Sequence, residues 1–308
     1  MRLMHGHTKC VRAMAVYTPT NGDPALLVTS GDDGVTIVWD LQTFTVIHRL
    51  EGVHTHRIRG LAVYTPAEPP AKSDTKPAPM HHTINIHETI NRSALHASVT
   101  DLCTRPLIIT GSDDKSAAVW DLTSGTLIRH LTGGHKWFIM SVSVLMPTYG
   151  TSPFVVTSGW DNYSIVWNVS TGQQIMRLSS EHANAVSAVV AFVSPQLQSE
   201  IGRNLCESAR VPFILTAGFD RIISIWDGES GQLLRTYPTK HTDIVSCAAV
   251  YTPHHSEHGL YALTGSFDGT AISYNLLNGQ MIRVLGGHSD WVTSVAMFRT
   301  NSGTEGAS

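Results

Sequence analysis

The sequence predicts an all-β fold of five complete four-stranded units, followed by the start of a sixth. Three observations predict it. One segment is written five times, as TSGDDGVTIVWD, TGSDDKSAAVWD, TSGWDNYSIVWN, TAGFDRIISIWD and TGSFDGTAISYN. A histidine opens every unit. All variation in unit length falls in a single connection, which marks a repeat architecture.

The opening histidines are His7, His54, His135, His182, His241 and His288, separated by 47, 81, 47, 59 and 47 residues. From each unit's closing aromatic (Trp39, Trp120, Trp167, Trp226, Tyr274) to the next histidine is always 14 or 15 residues. From each histidine to the aspartate six places before that aromatic (Asp33, Asp114, Asp161, Asp220, Asp268) the distance is 26, 60, 26, 38 and 27. Each unit holds four short runs rich in β-branched residues, such as VRAMAVY, ALLVTS, VTIVWD and TVIHRL, bounded by Gly, Asp, Pro or Thr. Four such strands make a small antiparallel sheet that is apolar on both faces, so it buries itself only against copies of itself. Stacked radially, the copies form a propeller.

A Gly-His opening, an Asp in the turn before the third strand and a closing Trp-Asp resemble WD40 repeats, over about residues 3 to 298. Asn168 and the Tyr274-Asn275 pair depart from Trp-Asp, and Val53, Glu181 and Lys240 replace the glycine before three of the histidines. The resemblance implies blades at about 5–50, 51–131, 132–178, 179–237 and 238–285, a partial sixth at 286–298, and a flexible tail at 299–308. Six first strands, the last being WVTSVAMF, stand against five second, third and fourth strands. An open or incomplete ring is therefore expected, either an arc or part of a longer array.

The same resemblance implies a hydrogen-bonded tetrad within each blade: His7, Thr29, Asp33 and Trp39; His54, Thr110, Asp114 and Trp120; His135, Thr157, Asp161 and Trp167; His182, Thr216, Asp220 and Trp226. The fifth set has His241, Thr264 and Asp268, with Tyr274 at the indole position, so it should be broken or rearranged. An ionised Asp accepting one imidazole N–H fixes the tautomer, and the other ring nitrogen accepts from the hydroxyl. Asp, His and a hydroxyl also spell a hydrolase triad. Catalysis needs one exposed nucleophile beside an oxyanion hole, whereas this trio occurs five times within a strand-packing pattern, so no enzymatic activity is expected.

The two long insertions, about Thr65 to Arg105 and Ser194 to Pro212, lie between first and second strands, on the side opposite the tetrads. The first is Pro-rich, polar and expected to be flexible. Histidines cluster there (His81, His82, His87) and in the matching loop of the fifth unit (His254, His255, His258). A structural zinc site usually has Cys partners or a closed four-ligand geometry, so these read as solvated loops, and no metal or cofactor is expected.

Composition narrows the partner class. Among 308 residues, 21 Lys+Arg stand against 24 Asp+Glu, for a net charge of −3, with no basic block of the kind that neutralises phosphates. Nucleic acid is not the expected partner. The longest apolar run is far short of the roughly 20 residues that span a bilayer, and no signal-peptide stretch opens the chain, so no membrane association is expected. Cys10, Cys103, Cys206 and Cys247 show no CxxC spacing and read as reduced thiols, in keeping with a cytoplasmic or nuclear location.

The residue before each turn aspartate carries the binding hypothesis: Asp32 and Asp113 in the first two units, then Trp160, Phe219 and Phe267. On the tetrad face these aromatics would form an apolar arc, extended by Trp137 and Trp291, while Asp32 and Asp113 select Lys or Arg in a bound peptide. The expected function is a non-enzymatic scaffold that docks other proteins or peptides. The alternative is the recognition part of a larger polypeptide, such as a kinase or ubiquitin ligase. A metal-dependent hydrolase built on the loop histidines would reveal itself by stoichiometric metal.

Overall fold

The apolar runs pair in chain order, each unit forming one antiparallel sheet. In the computed structural model the described residues are 4–19, 22–66, 102, 104–146, 152–179, 182–200, 211–252 and 259–297. The first sheet holds β1 (Val11–Tyr17), β2 (Leu26–Gly31), β3 (Thr36–Asp40) and β4 (Val46–Leu50). The second holds β5 (Ile58–Tyr64), β6 (Leu107–Ser112), β7 (Ala117–Asp121) and β8 (Leu127–Leu131). The third is β9 (Ile139–Leu145), β10 (Phe154–Gly159), β11 (Ser164–Asn168) and β12 (Gln174–Leu178). The fourth is β13 (Val186–Val193), β14 (Pro212–Gly218), β15 (Ile222–Asp227) and β16 (Leu233–Pro238). The fifth is β17 (Val245–Tyr251), β18 (Tyr261–Ser266), β19 (Ala271–Asn275) and β20 (Met281–Leu285). These are the blades of a WD40-like β-propeller whose ring is not closed by hydrogen bonds.

Both faces of the middle strands are buried because blades pack flat on one another. Val28, Val38 and Leu50 of the first blade meet Ile108, Ala118 and Trp120 of the second, and Ile109 and Val119 meet Ile165 and Trp167 of the third. Val156 and Val166 pack on Ile214 and Trp226, and Leu215 and Ile225 pack on Ala262 and Ile272. On its other side the first blade has only a small cluster of Val35, Ile37 and Trp39, and Val11, Met14 and Val16 of β1 are exposed. The first strands, with Thr293, Ser294 and Val295, line a cavity of about 490 Å³.

Every first strand carries a β-bulge near its start. The pairings skip from Val11 to Ala13, Ile58 to Gly60, Ile139 to Ser141, Val186 to Ala188 and Val245 to Cys247. The extra residue, five places after the opening histidine, is Arg12, Arg59, Met140, Ser187 or Ser246. A bulge bends the strand and re-aims this side chain out of the regular alternation.

The only described helix of more than one residue is α1 (Pro195–Glu200), in the second insertion. Ser194 caps it through Oγ, which accepts from Leu197 N at 3.3 Å, and Pro195 fits the first helical position. The start of a sixth unit expected near 291–298 joins no sheet over the described residues 291–297. Residues 291–297 instead lie against the fifth blade, with Val292 buried and its N–H donating to Ser266 O at 3.0 Å. The histidine-rich loops and the tail from 299 lie outside the described residues.

Candidate functional site

The opening histidine, the second-strand threonine and the turn aspartate meet in all five blades. His7 Nδ1 lies 3.0 Å from Asp33 Oδ2, and its Nε2 lies 2.8 Å from Thr29 Oγ1. The corresponding pairs are His54 with Asp114 (3.0 Å) and Thr110 (2.8 Å), His135 with Asp161 (3.0 Å) and Thr157 (2.7 Å), His182 with Asp220 (2.8 Å) and Thr216 (2.8 Å), and His241 with Asp268 (3.0 Å) and Thr264 (2.9 Å). The indole N–H of Trp39, Trp120, Trp167 and Trp226 donates to the same threonine oxygen at 2.8, 3.3, 2.9 and 2.8 Å. Thus each Trp N–H points to a Thr oxygen, each Thr O–H to an imidazole, and each Nδ1–H to a carboxylate. In the fifth blade the phenol sits elsewhere: Tyr274 Oη accepts the backbone N–H of Lys240 at 2.9 Å. His288, which opens the sixth unit, is exposed and has no such partners among the described residues.

The glycine before the histidine has a steric cause where it occurs. A Cβ on Gly134 would lie 2.4 Å from Trp167 Cη2, and one on Gly6 2.7 Å from Trp39 Cη2. The indole needs that space.

Each turn carboxylate also accepts the backbone N–H of the residue after its histidine, for example Thr242 N on Asp268 at 2.9 Å and Lys136 N on Asp161 at 2.8 Å. Burial alone would raise these carboxyls. For Asp268 the donors Thr270 and Thr242 together with His241 outweigh burial and hold it down to about 2. Asp33, Asp114 and Asp161 are lowered against the same burial, by Thr8 and His7, by His54 and Ser116, and by His135.

These networks place the second turn beside the histidine loop. The turn residues Asp32, Asp113, Trp160, Phe219 and Phe267 donate their N–H groups to the carbonyls of Cys10, Arg57, Phe138, Ala185 and Ile244, at 2.9 to 3.1 Å. The five turns therefore stand on one face, beside the histidine loops that carry Trp137 and Trp291. The aromatics fall into two groups rather than one arc. Trp137 and Phe138 (6.2 Å between centroids), Phe138 and Trp160 (6.0 Å), and Trp160 and Phe219 (5.7 Å) form one. Phe267 stacks on Trp291 at 4.2 Å and forms the other. Phe219 leans toward the third blade while Phe267 finds a flat partner in the sixth unit. Trp137, Trp160 and Trp291 remain 54%, 45% and 60% exposed.

The two acidic turn residues are already engaged. Arg12 Nε and Nη2 each donate to Asp32 at 2.7 Å, and Arg59 Nη2 donates to Asp113 Oδ2 at 3.0 Å, its Nε taking the other oxygen. The Arg12 hydrogen bond lowers Asp32, and Arg57 adds a third guanidinium 4.0 Å away. The charge of the two carboxylates expected to select a partner's Lys or Arg is thus matched inside the chain. Sequence reasoning missed the arginines. Their signal is the position five residues after the histidine, which is Arg only where the turn residue is Asp, and Met140, Ser187 or Ser246 where it is aromatic. Phe138, which joins Trp137 to Trp160, was missed as well.

Cys10 and Cys247 are free thiols, and burial raises Cys247. Cys103 and Cys206 lie outside the described residues. Among the described residues no cluster of His, Cys, Asp or Glu is placed to hold a metal ion, and no helix is long and apolar enough to cross a membrane.

With blades and tetrads in view, the comparison with known families is direct. The family model described as WD domain, G-beta repeat matches residues 1–40, 89–121 and 231–275. The chain carries WD40 repeats over these three stretches, whose described residues lie in the first, second, fourth and fifth blades.

Proposed function

We propose that this protein is a non-enzymatic scaffold that docks other proteins or peptides on its tetrad face. WD40 repeats support an interaction scaffold in general. The observation that carries the choice of face is the group Trp137, Phe138, Trp160 and Phe219, whose two indoles stay half exposed beside a rigid platform. Clustered exposed aromatics mark interfaces, because they bring large contact area with few rotors to order. The His–Asp–Thr sets support the same reading. Each threonine hydroxyl is buried and committed to an imidazole, the opposite of an accessible nucleophile.

The test is the pair Trp160→Ala with Phe219→Ala, followed in both melting temperature and partner co-purification. Lost co-purification at unchanged stability supports the interface. Lost stability alone assigns the rings to packing.

A further inference from the structure

We propose that the tetrad face takes an acidic peptide segment anchored by an aromatic or large apolar side chain. The inference rests on the docking face proposed above and names its partner class.

Charge is the first argument. With Asp32 and Asp113 bound by Arg12 and Arg59, and the five tetrad aspartates turned to their histidines, the exposed cations of the first four blades are left uncompensated. They are Lys9, Lys115, Lys136 and Arg221, all in histidine loops or second turns, whereas Arg57 shares Asp32 with Arg12. Among the described residues none of Lys9, Lys115, Lys136 and Arg221 has a carboxylate within ion-pair distance. Among the described residues the free acids of this face, Asp243 and Asp290, belong to the fifth and sixth units. A face positive around its aromatic group attracts a negative partner and disfavours a positive one.

Backbone strain is the second, independent argument. The residue after each tetrad aspartate is left-handed in all five blades: Gly34 (φ 73°), Lys115 (71°), Asn162 (68°), Arg221 (63°) and Gly269 (79°). Glycine adopts this conformation freely, and asparagine visits it routinely, whereas lysine and arginine crowd Cβ against the carbonyl. Strained residues persist at binding surfaces because the side chain has a use there. Two blades hold a long cation in the strained position, one on each side of the aromatic blade. Lys115 Nζ lies 5.8 Å over the Trp137 ring, which puts charge and apolar surface in a single patch.

A nucleic acid would also meet positive charge. The peptide is favoured because Trp160 and Phe219 meet edge to face rather than as parallel stacking platforms, and because the chain as a whole is negative at −3.

The experiment uses fluorescein-labelled synthetic heptapeptides: Gly-Glu-Asp-Phe-Glu-Asp-Gly, its lysine counterpart Gly-Lys-Lys-Phe-Lys-Lys-Gly, and the acidic peptide with Ala for Phe, with a ten-nucleotide oligothymidylate alongside. Anisotropy is read with the full chain, the Lys115→Gly/Arg221→Gly double variant and Trp160→Ala/Phe219→Ala. The acidic Phe peptide should bind about tenfold more tightly than the lysine peptide, weaken on adding salt, and lose about three- to tenfold in the glycine variant. That variant should melt no lower than wild type, because glycine relieves the strained backbone. Preference for the lysine peptide, or acidic binding indifferent to Lys115→Gly/Arg221→Gly, would overturn the partner class. If the aromatic variant still abolishes binding, the docking face itself stands. Oligothymidylate binding as tight as the acidic peptide would assign the face to nucleic acid instead. Binding of no probe, with Trp160 and Phe219 needed only for stability, would overturn both readings.

Discussion

Arg59 is the extra residue of a bulge in β5, and its guanidinium grips Asp113, the residue before the tetrad aspartate of the same blade. The first blade repeats the arrangement with Arg12 and Asp32. In the fourth and fifth blades the bulged residue is serine and the turn residue phenylalanine. There Ser187 Oγ donates to Val245 O and Ser246 Oγ to Val292 O, each reaching the next unit. In these four blades the bulge thus serves one of two purposes, neutralising an acidic turn or joining neighbouring units beneath an aromatic one, and Met140 of the third blade does neither.

If bulge and turn act as a unit, their substitutions will not add. Arg59→Ser leaves a buried carboxylate without its partner and should cost about 1–3 kcal/mol. Asp113→Phe alone strands the guanidinium. The double variant recreates the pairing of the fifth blade and should recover at least about 1 kcal/mol relative to the summed single effects. Urea unfolding of the four proteins measures this, and strict additivity would show that the two positions are independent.

Removing one tetrad imidazole tests the relay from indole to carboxylate. His135→Ala leaves Thr157 and Asp161 short of a partner and takes away the ring stacked 5.3 Å from Tyr163. The expected loss is roughly 1 to 3 kcal/mol from the unsatisfied buried groups. Thermal unfolding followed by circular dichroism reads it, and wild-type melting would exclude a structural role for the tetrad.

Acid should unfold the protein through the turn aspartates. Asp33, Asp114, Asp161 and Asp268 all titrate below the ordinary carboxylate in the folded state, Asp268 at about 2. A group lowered on folding stabilises fully above its unfolded value, about 4, and that contribution is lost as pH falls through the folded value. Stability should therefore decline from about pH 4 downward, and Asp268→Asn should flatten the decline. Urea midpoints across this range decide it; a flat profile would show that these carboxylates are not stabilised by folding.

Much of this architecture is legible because three residue types recur in register. His, Asp and Thr lie far apart in sequence, yet Asp and Thr keep fixed offsets from their own closing aromatic and each later histidine follows the preceding unit's aromatic by 14 or 15 residues, which identifies them together even across insertions. The arginine pairs escape a reading that compares turn residues only with one another, since Asp32 and Asp113 alone look like open acidic sites. They become visible when the turn is aligned with the position five after the histidine. The bulge behind them is not legible, because it exists only in the pairing of two strands. The stretch WVTSVAMF alternates like its five counterparts, but alternation does not supply a hydrogen-bonded neighbour, so the described part of the segment joins no sheet.

The last prediction concerns the hairpin between third and fourth strands, which closes each blade on a left-handed residue. In four blades it is glycine: Gly125 (φ 70°), Gly172 (75°), Gly231 (69°) and Gly279 (72°). In the first it is Phe44, at φ 62°. The turn is otherwise the same, because Phe44 N donates to Asp40 O at 2.8 Å as Gly279 N does to Asn275 O at 2.8 Å. Phenylalanine there suffers the crowding that glycine avoids, about 1–2 kcal/mol, partly offset by the greater unfolded-state freedom that glycine brings. The ring is 42% exposed, so truncating it removes only part of a full burial. Phe44→Gly should therefore stabilise the protein by about 0.5–1 kcal/mol, read as a higher urea midpoint at unchanged slope. A lower midpoint would show that the contacts of the Phe44 ring exceed the backbone strain, and would make this turn a packed feature of the first blade rather than a strained one.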